Sequence, residues 1–166
     1  GMFLTMYYVP DVENAWKSVY YLQNEVAFGE IVRGMHHWGA SLVIVMMFLH
    51  TLRVFFTGSY KKPRELNWIV GVGIFGVMMG LGFTGYLLPW DMKALFATKV
   101  GIEIAASVPF IGEYIKILLA GDSTILGAQT LTRFFAIHVF FLPAALFALL
   151  AAHFIMIRRQ GISGPL

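Results

Sequence analysis

The chain predicts an all-α transmembrane helical bundle, and three observations carry that expectation. It is 58% hydrophobic and only 13% charged over 166 residues, with a mean hydropathy of +0.73, more apolar surface than a soluble domain of this size buries. Three apolar stretches, 31–56, 68–88 and 131–157, reach the roughly 20 residues a helix needs to cross about 30 Å of hydrocarbon. Two of them carry histidines at nearly equal separations, His36 and His50 in the first and His138 and His153 in the last.

The elements follow in chain order within one membrane domain, 1–166. Residues 1–9 are apolar but too short to cross, and they lack the basic front end of a signal peptide. They read as the end of a truncated first helix, so three complete spans follow a partial one. Residues 11–26 follow Pro10 and scatter Trp16, Val19, Tyr20 and Leu22 among polar residues, the pattern of a helix lying at the membrane interface. The turn between the first two spans holds Arg53, Lys61, Lys62 and Arg64 against Glu65, and the last span ends in Arg158 and Arg159. Basic residues in short flanks mark the cytoplasmic or equivalent side. The segment 90–130 is then an outer-side connection, with two short interfacial helices expected near 93–106 and 110–119. A chain without cysteine offers no disulfide and no thiolate ligand within these residues, and a net charge of +3 points to no nucleic acid.

Three spans in series place the first and last parallel, so His36 shares a side with His138 and His50 with His153. On an α-helix a step of 14 residues is roughly 21 Å and 40°, and a step of 15 roughly 22 Å and 60°. Each helix therefore offers two imidazoles on one face, one near each membrane surface. A lone histidine in an apolar helix serves as a hydrogen-bond donor or a proton relay as readily as a ligand. Four at matched depth call for a shared partner at each level, and two stacked haems ligated by paired histidines satisfy all of them. Zinc or copper fits less well, because each level offers two histidines and no carboxylate or thiolate. His37 lies 13 residues from His50, roughly 220° away, so His36 is the expected ligand and His37 an interfacial residue.

The middle span carries six glycines, of which Gly71 and Gly85 are also 14 apart. That matched spacing suggests backbone surfaces for two flat macrocycles, whereas Gly76 and Gly80 suit ordinary helix packing equally well. Arg33 and Arg53 each lie three residues from a ligand histidine, toward the nearer surface, where they suit haem propionates or simply snorkel.

These residues resemble the cytochrome b6-type, split N-terminal form of cytochrome b in quinol:cytochrome c reductases. The resemblance covers the whole chain. It is carried by Arg-Gly-Met-His36, His50-Thr-Leu-Arg53, Lys-Lys-Pro-Arg-Glu at 61–65 and Gly85-Tyr-Leu-Leu-Pro-Trp90. It continues in Pro109-Phe-Ile-Gly112, in Thr130-Leu-Thr-Arg-Phe-Phe-Ala-Ile-His138 and in the closing Arg-Arg-Gln-Gly-Ile-Ser-Gly-Pro-Leu. The 15-residue gap between His138 and His153 resembles the b6 branch.

The resemblance implies a bundle of four helices holding two haem b groups, a low-potential outer one on His36 and His138 and a high-potential inner one on His50 and His153. It implies Gly1, Gly71 and Gly85 as haem-packing glycines, Arg33 and Arg53 as propionate partners, and Arg133 near the outer haem and quinol pocket. Electrons would pass from quinol oxidation outside to quinone reduction inside, in a menaquinol or plastoquinol:cytochrome c or plastocyanin reductase. The implied partners are a subunit IV-like C-terminal half of cytochrome b, a Rieske iron-sulfur protein and a c-type cytochrome, in a homodimeric complex. No residue here stands out as a catalytic proton acceptor. His37 departs from the arginine of chloroplast b6 and favours the bacterial menaquinol enzymes, hence a bacterial cell membrane rather than a thylakoid. A third haem, attached through a residue upstream of Gly1, belongs to the same expectation. The alternative is a di-haem membrane anchor of a dehydrogenase or hydrogenase, which has no need of the Pro-Trp and Pro-Phe-Ile-Gly connection.

Overall fold

The computed structural model describes residues 1–121 and 126–162. Part of the outer connection, 122–125, and the end of the closing motif, 163–166, lie outside the described residues. All regular structure among the described residues is helical: α1 (Met2–Thr5), α2 (Ala15–Asn24), α3 (Gly29–Phe56), α4 (Glu65–Leu87), α5 (Met92–Ala106), α6 (Gly112–Ala120), α7 (Ala128–Ala136), a π-helical turn (Ile137–Phe141) and α8 (Leu142–Gln160). Three helices are long and apolar enough to cross a membrane, Gly29–Phe56, Glu65–Leu87 and the continuous Ala128–Gln160.

The spans begin two or three residues before the apolar stretches, because Glu30 and Glu65 stand in the first turns of α3 and α4, where a carboxylate suits the helix dipole. The interfacial helix is shorter than the 11–26 expected from sequence. Asp11 instead forms a turn, accepting from the Asn14 and Ala15 amides through its carbonyl and from the Asn14 side chain at 2.7 Å.

The π turn is the feature that periodicity does not reveal. A π turn holds one residue more than the α turn it replaces. Pro143 lies just beyond it, at the start of α8. Proline supplies no amide hydrogen and crowds the carbonyl four residues back, here that of Val139 inside the π turn. The helix thus absorbs both the proline and one residue of the 15-residue gap, and continues with the phase of a 14-residue step, about 40° short of a full turn rather than about 60° past one.

The chain forms two compact units. The first comprises Gly1–His36 and Phe83–Val139. In it α5 packs on α6 and α6 on α7, around a core of Leu87, Ile102, Ala120 and Phe134. Asp91 caps α5 by accepting from the Ala94 amide at 2.8 Å. Thr130 ties two helices together, donating to the Ala120 carbonyl at 2.7 Å and accepting from the Gly127 amide at 3.2 Å. The Tyr8 hydroxyl reaches across from the N-terminal segment to the Leu88 carbonyl at 2.6 Å. Gly112 makes the α5–α6 corner possible, because a Cβ there would collide with the Ala106 carbonyl oxygen.

The second unit comprises His37–Gly82 and the chain from Phe140 onward. Tyr60 sits between Phe55, with ring centres 5.8 Å apart, and Trp68, at 5.4 Å, and so fixes the turn between α3 and α4. Arg64 donates to the Gly161 and Ile162 carbonyls at 3.3 and 3.1 Å, just past the end of α8. Of the two glycines expected to serve helix packing, a Cβ on Gly80 would meet Leu142 at 3.5 Å, whereas one on Gly76 would meet nothing within 4 Å.

Gly112→Ala is expected to destabilise the protein by about 1–3 kcal/mol, the usual range for overpacking. Gly76→Ala should leave stability unchanged or raise it slightly. Thermal unfolding of the two detergent-purified variants beside the parent checks both; equal midpoints for all three would refute the corner constraint.

Candidate metal and cofactor centre

Of the five imidazoles on the spans, four are the candidate ligands, two of these in each unit. In the first unit His36, on α3, and His138, in the π turn, face each other with ring centres 6.2 Å apart and planes at 82°. Two imidazoles that held one metal from opposite sides, at about 2.0–2.1 Å each, would stand with ring centres roughly 6 Å apart. The observed separation matches that requirement. Among the described residues no group of three or more His, Cys, Asp or Glu converges as a metal site, so the donor set suits a metal whose remaining positions are filled by its own macrocycle.

The His138 ring rests on two consecutive residues of α4. A Cβ on Gly85 would lie 2.5 Å from its Cε1 and 3.1 Å from each ring nitrogen. Thr84, 5% exposed, sets its hydroxyl 3.1 Å from His138 Nδ1. With Nε2 left for a metal, Nδ1 carries the proton and donates to that oxygen, the usual support of a metal-bound histidine.

In the second unit His153 of α8 rests on α4 in the same manner. A Cβ on Gly71 would lie 3.4 Å from its Cε1 and 3.9 Å from its Nδ1. That Nδ1 is buried and has no side-chain partner, with the Asn67 backbone beside it. His50 lies within electrostatic reach of His153. Asn67 Oδ1 and Gln160 Oε1 are buried here without partners as well. Both glycines expected to face macrocycles thus stand against an imidazole, and at Gly85 even a methyl group would push a candidate ligand out of place.

The remaining predicted site residues are distributed differently. Gly1 is exposed, and a Cβ on it would meet nothing within 4 Å. Arg33 donates to Gln23 Oε1 at 2.7 Å, at the edge of a shallow groove lined by Trp16, Val19 and Tyr20. Arg53 is exposed in the last turn of α3. Arg133 donates to the Ile117 and Leu118 carbonyls at 2.5 and 2.6 Å, so its charge serves the C-terminus of α6. His37 is exposed and stands edge-on to Trp38, with ring centres 5.5 Å apart. Along the outer connection Trp90 and Phe110 both have positive φ, 53° and 68°, and Phe110 is 97% exposed. Such backbone conformations are costly for aromatic residues and gather at functional sites. Sequence reasoning missed Thr84; its one signal was a hydroxyl directly before a glycine already singled out.

The model of the cytochrome b/b6/petB family matches residues 1–161. A menaquinol:cytochrome c reductase cytochrome b subunit from Geobacillus thermodenitrificans is 85% identical over the whole chain, which spans 74% of that relative. Its counterpart in Bacillus subtilis is 84% identical with the same coverage. A cytochrome b6 from Heliobacterium mobile is 48% identical, and the chain covers 78% of it. Among solved structures, a chain of a hyperthermophilic respiratory complex III superposes with a TM-score of 0.88 at 33% identity, over 99% of this chain and 44% of that one. Paired imidazoles on glycine-lined spans and similarity along nearly the entire length lead to one assignment: the chain belongs to the cytochrome b/b6 family and shares its haem b chemistry.

Proposed function

We propose that the chain is the di-haem b, electron-carrying subunit of a menaquinol:cytochrome c reductase, a multi-pass protein of a bacterial cell membrane. His36 and His138 hold the outer haem, and His50 and His153 the inner one. The observation that carries this reading is the 6.2 Å separation of the His36 and His138 rings. Relatives at 84–85% identity that bear the reductase name support the choice of complex.

When bound, the haems supply reversible one-electron chemistry in a low-dielectric interior. Each histidine pair fixes a group at one depth in the membrane, and Gly85 and Gly71 keep an imidazole of each pair close to the α4 backbone. Arg33 and Arg53 are placed by sequence near the outer and inner membrane surfaces, where a guanidinium suits a propionate. The strained outer connection, with Trp90, Phe110 and the exposed Val100 and Ile111, forms part of the surface on which quinol is oxidised. Electrons leave toward a Rieske protein and a c-type cytochrome, or pass inward to a quinone. A C-terminal half of cytochrome b completes the outer pocket in a homodimeric complex, and a third haem tethered upstream of Gly1 belongs to the same proposal.

A reduced-minus-oxidised spectrum of the purified complex tests the ligand set. His50→Ala is expected to remove one b-type component and leave the outer one, whereas His37→Ala removes neither. Loss of a haem on changing His37 alone, or full haem content after His50→Ala, would overturn the assignment.

Gly85→Val is expected to lower outer haem content selectively, since even a Cβ comes within 2.5 Å of the His138 ring. Haem-to-protein ratios by pyridine haemochrome, with Gly76→Val as the comparison, check this; equal ratios in the two variants would count against the cradle.

A further inference from the structure

The two candidate ligands that rest on α4 differ in one respect. His138 Nδ1 has the Thr84 hydroxyl at 3.1 Å, inside a buried contact. His153 Nδ1 is buried with no side-chain hydroxyl as partner, only the Asn67 backbone beside it. The difference is written in the register of α4, where Thr84 precedes Gly85 and Val70 precedes Gly71. The two dipeptides are 14 residues apart, the step that separates the glycines themselves. Threonine and valine have nearly the same shape, so the equivalent positions differ by a hydroxyl in place of a methyl. An imidazole rests on each of the two glycines, more tightly at Gly85 than at Gly71, and the hydrogen-bonding chemistry beside them differs.

We propose that the Thr84/Val70 pair sets the two haem potentials apart, Thr84 lowering the outer one through His138 and Val70 leaving the inner one without that effect. The proposal rests on the haem ligation put forward above. An imidazole that donates its Nδ1–H to an acceptor becomes a stronger base at Nε2, the nitrogen left for iron. A stronger axial base stabilises the more positive ferric state and so lowers the potential; second-shell hydrogen bonding is one of the protein's recognised levers on haem. Thr84 touches neither haem nor substrate in this scheme. It is a positioning and tuning residue that acts through the ligand, and it also holds the tautomer that leaves Nε2 available.

The equivalence of the two positions permits a reciprocal test by optically monitored redox titration of the purified complex. Thr84→Val is expected to raise the outer haem potential by up to about 59 mV, the equivalent of a tenfold change in a one-electron equilibrium, with the inner potential unchanged. Val70→Thr is expected to lower the inner potential alone, and Thr84→Ser to keep the parent value. Together the first two changes should narrow or reverse the gap. Should Thr84→Val fail to assemble, Val70→Thr and Thr84→Ser still decide the question. Unmoved potentials in correctly assembled variants, or equal shifts of both haems, would overturn the tuning role while leaving ligation intact. Failure of the ligation itself would appear separately, as a full haem complement in His138→Ala.

Discussion

Most of the candidate centre depends on one short-range constraint, the contact between an imidazole and the bare backbone of α4. At Gly85 that contact leaves no room for a methyl group, since a Cβ would lie 2.5 Å from the His138 ring. At Gly71 it is ordinary van der Waals contact, at 3.4 Å from His153. Within a bilayer there is no hydrophobic drive between helices, so close approach through small residues is what brings them together. The same glycines that allow the helices to approach also decide where the histidines stop. Assembly of the spans and placement of the ligands are therefore a single packing problem, and the two faces of α4 that solve it recur after the same 14 residues.

The two histidine helices meet this constraint with unequal spacings, and the π turn reconciles them. In a uniform α-helix a 15-residue gap ends about 100° further round than a 14-residue gap, roughly 60° past the starting direction instead of roughly 40° short of it. Widening one turn at Ile137–Phe141 absorbs a residue where His138 itself sits, and Pro143 supplies a local reason for the distortion to form there. His138 is consequently held from three directions: by the widened turn in its own helix, by the Gly85 backbone and by the Thr84 hydroxyl. A ligand held this way has little freedom to reorient when its charge environment changes. That preorganisation is what a site of rapid electron exchange requires of its protein.

Much of this was legible in the sequence, and the reasons for the exceptions are physical. Hydropathy located the spans because backbone in hydrocarbon must be helical. Histidine and glycine spacings singled out residues that meet in the structure, His138 with Gly85 and His153 with Gly71, because polar side chains in lipid are few and each needs a partner. The π turn was hidden, since a single inserted residue leaves hydropathy unchanged. Thr84 was hidden too, because threonine in an apolar helix usually bonds its own backbone. The arginines were the least legible. Charge counting treats them alike, yet Arg133 closes the end of α6 and Arg64 reaches carbonyls beyond the end of α8. Which carbonyls stand within reach of a long side chain is a tertiary fact.

The connection between the second and third spans builds a buried core, with α5, α6 and α7 packed around Leu87, Ile102, Ala120 and Phe134 and with Thr98 and Thr130 fully buried beside it. The spans bury almost nothing by comparison, between 0% and 6% of their most apolar windows, because lipid charges no penalty for exposed leucine or phenylalanine. Their cohesion must come from contacts at fixed points: Gly80 on Leu142, Gly82 on Ile44, Gly71 on His153 and Arg64 at the end of α8. Functional groups borne by the spans therefore contribute directly to holding them together. Under the proposed ligation, an imidazole seated on a glycine would orient a cofactor and anchor a helix with the same atoms, so changes at these positions should alter assembly and redox behaviour together, whereas a hydroxyl-to-methyl exchange beside them separates the two.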